Sequence, residues 1–119
     1  MIISDNKTII TIQNEFQQKF PFLKIEFYTT PHQIGEGSAE KQHIEGDKTI
    51  GEIRKIHNNG DMSINGHLKV STFEQNFHQK YGLNVQVFQQ AKQIYLQTSK
   101  TDSWTLSEQN QKGEESLSS

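Results

Sequence analysis

Five histidines, at positions 32, 43, 57, 67 and 78, are the side chains in this sequence best suited to hold a transition metal or to move a proton near neutral pH. No two stand four apart with the flanking carboxylate of a helical zinc motif. His32 and His43 share the 29–48 segment with Glu36, so a metal site or a small catalytic site would be assembled there if the chain has one. His78 directly follows Phe77, an apolar position of a helical stripe, and reads as a surface residue on the flank of that helix. The absence of cysteine removes thiolate ligands, disulfides and Cys nucleophiles, and fits a reducing compartment.

Two other patterns begin like known sites and then depart from them. Asp61-Met62-Ser63-Ile64-Asn65-Gly66-His67-Leu68 alternates oxygen ligands ahead of a glycine, as a calcium loop does, but Thr72 stands where a bidentate Glu is required. The stretch reads more simply as a turn entering a strand. Glycines at 35, 37, 46, 51 and 60 never form a phosphate-cradling turn followed by Lys-Ser or Lys-Thr, and no Gly-x-Ser-x-Gly elbow presents a nucleophile. The expectation is a chain with no cofactor and no metal, with His32 and His43 kept as the alternative metal pair.

Aromatic residues offer a different chemistry, recognition of a partner. Trp104 precedes a short helical segment and could anchor a partner, since Trp is enriched at binding hot spots, although stapling against Leu106 or Glu108 would explain it equally. Tyr95 lies in the apolar run Ile94-Tyr95-Leu96 of a return strand, flanked only by Lys92 and Lys100. An edge so lightly guarded can recruit another strand.

The elements that must position these residues come in two similar sets. Ile9, Thr11, Ile12, Phe16, Lys19 and Phe20 align at one constant offset with Val70, Thr72, Phe73, Phe77, Lys80 and Tyr81, and their apolar steps of three and four mark one face of a helix. Helices over about 9–20 and 71–81 follow. Ser71 and Glu74 suggest a capping box, Gly82 a left-handed stop, and Pro21 the end of the first helix. Alternation at Leu23, Ile25 and Phe27, and at Leu83, Val85 and Val87, predicts a strand after each helix. Short strands at 1–4 and 62–65 precede them, and a strand-helix-strand unit normally crosses over between parallel strands. The second unit returns through Gln90-Ala91-Lys92 into 94–98, and the first through the 31–37 loop into a weaker strand at 42–45. Thr49-Ile50-Gly51-Glu52 and Thr105-Leu106-Ser107-Glu108 then open short helical segments. The glutamines between 86 and 97 read as the solvated face of the sheet.

The expected architecture is therefore α+β, two tandem βαββ(α) repeats forming a mixed sheet with helices on one face. A ferredoxin-like first half with an extension is the alternative. Residues 1–113 form one duplicated domain, divided near residue 60, and the 114–119 tail, with Leu117 its one apolar residue, is expected to be frayed and disordered. With 31% hydrophobic residues and a mean hydropathy of -0.79, the core is thin and must use the seven Phe.

The second unit, Val70-Ser71-Thr72-Phe73, Phe77 and Tyr81-Gly82-Leu83-Asn84-Val85-Gln86-Val87-Phe88, resembles a strand, amphipathic helix, strand pattern of small uncharacterised bacterial proteins. That resemblance implies a fold and supplies no site. A formal charge of -2 without a basic cluster argues against nucleic acid, and no run approaches a membrane span. A cytoplasmic location is the simplest reading. Non-catalytic protein binding, as a homo-oligomer or an adaptor, is the leading function, with a small enzyme or metal-binding protein built on the 29–48 loop as the alternative.

Overall fold

Ile9, Ile12 and Phe16 fall on one helical face, as do Val70, Phe73, Phe77 and Tyr81, and both segments are helical in the computed structural model, which describes residues 1–32 and 35–118. Residues 33 and 34 of the 29–48 loop, and residue 119 of the tail, lie outside the described residues. Helix α1 spans Ile9–Lys19, with the Thr8 hydroxyl accepting the Thr11 N–H at 3.3 Å, and it stops ahead of Pro21. Helix α2 spans Val70–Tyr81 and ends at Gly82, whose φ of 65° suits glycine and whose N–H returns to His78 O.

The expected Ser71 and Glu74 capping box is not formed. α2 begins one residue earlier, after Lys69, because backbone carbonyls already satisfy its first amides: Val70 N–H donates to Trp104 O at 2.8 Å and Ser71 N–H to Asp102 O at 2.7 Å. Glu74 is thereby released from the helix start, and its carboxylate reaches Val87 N instead, at 2.8 Å. A true capping box occurs at the third helix, α3 (Leu106–Ser118), where Thr105 N–H donates to Glu108 at 3.0 Å and Glu108 N–H to the Thr105 hydroxyl at 3.1 Å.

Strand pairing is antiparallel throughout, and this corrects the mixed sheet and the parallel crossover. β1 (Ile2–Ile3) pairs with β4 (Gly60–Asp61) in a small ribbon. The main sheet has the order β3-β2-β5-β6, with β2 at Leu23–Tyr28, β3 at His43–Ile44, β5 at Asn84–Ala91 and β6 at Ile94–Gln97. Each strand that precedes a helix pairs with its counterpart from the other half, and so does each long strand that follows one. A two-residue strand offers too few ladder bonds to join the main sheet beside six- and eight-residue partners. β4 also falls at 60–61, short of the expected 62–65, since Met62 turns inward to 4% exposure. Residues 51–53 form only a 3-10 turn, so the first half lacks the second helix of a ferredoxin-like order.

Leu23, Ile25, Phe27, Val85 and Val87 supply the sheet side of a core shared with the helices. Phe16 meets Phe73 at 5.1 Å between ring centroids, Phe73 meets Phe77 at 5.1 Å, and Phe77 stands edge-on to Phe27 at 6.0 Å. The expected frayed tail is also corrected, because α3 continues through residues 114–118. Gly113 ends nothing: a Cβ there would lie 2.8 Å from Phe22 Cβ, so glycine lets α3 settle on the sheet. The Ser116 hydroxyl then accepts the Lys92 N–H at 3.1 Å. Among the described residues no helix is long and apolar enough to cross a membrane.

Candidate functional site

The 29–48 segment sends its two histidines to different carboxylates. His43 stacks edge-on against Tyr28 on β2 and places Nε2 2.5 Å from Glu26. His32 reaches β5, with Nε2 3.3 Å from Val85 O and 3.4 Å from Glu74 Oε1. Glu36 is exposed. His57 pairs with Asp5 at 2.8 Å and His78, exposed as expected, with Asn84 at 2.9 Å. No group of three or more metal-ligating side chains is assembled among the described residues.

Both carboxylates also belong to an amide pair, and the two pairs mirror each other chemically. Gln13 on α1 donates to Glu26 at 3.2 Å and to Ile25 O at 2.7 Å, whereas Gln86 on β5 donates to Glu74 of α2 at 3.4 Å. The helix position carries the amide in one half and the carboxylate in the other. Gln86, expected on a solvated face, is fully buried, with the Ser38 hydroxyl 3.1 Å from its Oε1.

Glu74 is the more unusual of the two acids. It is only 6% exposed, and burial pushes its pKa up, with a further push from the Asp102 charge, while His32 and the Val87 N–H pull it down. Oε2 takes Val87 N–H and the Gln86 amide, but buried Oε1 accepts no hydrogen bond. A cleft of about 290 Å³ opens beside it, walled by His32, Ser71, His78, Asn84 and Asp102. Asp102 is equally buried and takes the Gly35 N–H at 2.8 Å. Sequence reasoning missed both acids, Glu74 because Ser-x-x-Glu resembles a cap and Asp102 because nothing local marks it.

Tyr95 and Trp104 lie at the opposite end of the sheet. β6 is an edge strand, with Ile94 59% and Leu96 51% exposed. Tyr95 is half-buried, its ring 4.7 Å from Lys24 Nζ and its hydroxyl 3.3 Å from Gln17. Thr98 N–H donates to Val87 O, so by antiparallel alternation the amides of Tyr95 and Gln97 face away from β5. Trp104 is also half-buried, and with Leu96, Gln89 and Lys112 it lines a groove of about 480 Å³ between β6 and α3. The structure thus places Trp104 beside the edge that carries Tyr95, though the two side chains serve different faces. Comparison with protein families, with curated proteins and with solved structures finds no match, which leaves the chemistry to be argued from these geometries.

Proposed function

We propose that the chain is a protein-interaction module that takes an extended partner segment onto β6. The observation that carries this reading is an unpartnered edge strand whose exposed Ile94 and Leu96 adjoin a groove lined by Trp104. Outward amides at Tyr95 and Gln97 supply main-chain bonds, and the groove supplies a pocket for an apolar side chain, the division of labour in strand addition.

Charge selects between kinds of partner. Lys92 and Lys100 are exposed at the two ends of β6, and neither has a carboxylate partner among the described residues. In the self-pairing register that uses both outward amides, Lys92 of one copy meets the Lys100 end of the other, which is repulsive. An extended segment with alternating apolar residues and acidic flanks fits better than a second copy.

Trp104 is the only tryptophan, so its fluorescence reports directly on the groove. Titration with a peptide of alternating Val and Thr between Asp pairs should give saturable quenching or a shift, weaker with Lys flanks and lost in Leu96→Lys. Equal response to both peptides, or an undiminished response in Leu96→Lys, would remove the reading. Dimers of the unmodified chain in light scattering would replace the peptide with a second copy.

A further inference from the structure

We propose that the cleft between α2 and the 31–38 segment binds a primary ammonium group, held by Glu74 and Asp102. Two carboxylates at 6% exposure line one small space, and no Lys or Arg is among its walls. Buried carboxylates are ordinarily paired with a cation or fully hydrogen-bonded. Here the internal partners stop short: Glu74 Oε2 is committed to Val87 and Gln86, Asp102 Oδ2 to Gly35, and Glu74 Oε1 is buried at the cleft without a hydrogen bond. His32 Nε2 stands 3.4 Å from that oxygen, near enough to favour its charge but outside hydrogen-bond geometry.

The donor set defines the ligand. A guanidinium fork wants both oxygens of one carboxylate, and each acid here has one oxygen already occupied. An ammonium needs single oxygens from several directions, which Glu74 Oε1 and the second Asp102 oxygen offer. A divalent ion would want three or more anionic or imidazole ligands, and no such group is assembled among the described residues. At about 290 Å³ the cleft suits a small aliphatic amine. Position 13, the α1 counterpart of Glu74, is a glutamine with its amide already used on Ile25 O and Glu26. The half without the buried acid satisfies itself internally.

The test uses 1,4-diaminobutane as the ammonium probe and 1,4-butanediol as its uncharged counterpart, read by backbone amide NMR shifts of the whole chain. The diamine should move the amides of Val87 and Gly35 saturably, and the diol should not. Glu74→Gln keeps the shape and should weaken the diamine by roughly tenfold or more, as loss of a buried charge partner does. Ser71→Lys, which places a tethered ammonium at the cleft wall, should abolish binding in a chain whose remaining spectrum is unchanged; it also serves if Glu74→Gln fails to fold. Equal shifts with the diol, undiminished binding in either variant, or no saturable shift with the diamine would overturn the proposal. Zinc or calcium producing the same shifts at lower concentration would make the cleft a metal site instead.

Discussion

Glu26 and Gln86 face each other across the β2–β5 ladder, and they are 60 residues apart, the spacing that also superimposes Leu23, Ile25 and Phe27 on Leu83, Val85 and Val87. A residue that pairs with its own counterpart lies on a local two-fold axis. The ribbon repeats the pattern: Met62 N–H donates to Met1 O, and these methionines are 61 apart, the spacing of Phe16 and Phe77. Loop bonds correspond as well. Ile9 to Lys48 matches Val70 to Trp104, Ile10 to Gly46 matches Ser71 to Asp102, and Ile50 to Lys7 matches Leu106 to Leu68. Duplication of an ancestral half explains why equivalent strands pair antiparallel, since a two-fold axis in the plane of a ladder reverses direction.

The shared core makes a stability prediction. Phe77 is fully buried against Phe27 and Phe73, so Phe77→Ala should cost about 3–5 kcal/mol, the usual loss for a truncated buried aromatic. A urea titration checks it, with a loss below about 1 kcal/mol contradicting the packing described. Phe16→Ala, at the equivalent position, should behave alike.

Glu74 gives the fold a pH dependence. Its folded pKa is raised above the unfolded value, so the stability tied to its protonated form is fully present below the unfolded range and is lost as pH rises through the folded value. Glu74→Gln should therefore raise the denaturation midpoint at pH 7 and flatten its decline above pH 5, while an amide oxygen still accepts Val87 N–H. A midpoint that falls at pH 7 would mean that the charge of Glu74, through His32, stabilises the fold.

Gly113 tests why α3 extends to Ser118. Gly113→Ala would bring Cβ to 2.8 Å from Phe22 Cβ and 2.9 Å from Phe22 O. Overpacking of this kind costs about 1–3 kcal/mol, against a gain of up to about 1 kcal/mol from helix propensity at an exposed glycine. Net destabilisation, with loss of amide-exchange protection over residues 114–118, is the expected result. A more stable Gly113→Ala would show that α3 stands off the sheet.

Local pattern carried most of the fold. Steps of three and four fixed α1 and α2, and period two fixed β2 and β5, because one solvent-averse face dictates each. Strand direction was not legible, since two-residue strands carry no period and pairing is decided by distant partners. Glycine misled at 113, where the same residue that stops a helix also permits close packing. The cleft was hidden for a related reason: Glu74, His32 and Asp102 come from three separate segments, and Ser71 offered Glu74 a local explanation that carbonyls from residues 102 and 104 made unnecessary. Edge exposure at Tyr95, by contrast, followed from the order of hairpin and final helix.

The charge pattern of β6 supports a reversal. In the symmetric register pairing Tyr95 with Gln97 of a second copy, Lys92 approaches position 100, and like charges meet at both ends of the ladder. Lys100→Glu replaces both repulsive approaches with attractive ones, and Ile94 and Leu96 of the two copies then line a continuous apolar stripe. Light scattering should find the unmodified chain monomeric and Lys100→Glu dimeric at the same concentration, with dimerisation weakened by salt because the new pairs are exposed. Adding Leu96→Lys to Lys100→Glu should restore the monomer. If Lys100→Glu remains monomeric at millimolar concentration, the outward amides of Tyr95 and Gln97 do not suffice to add a strand, and the edge is closed to partners of any charge.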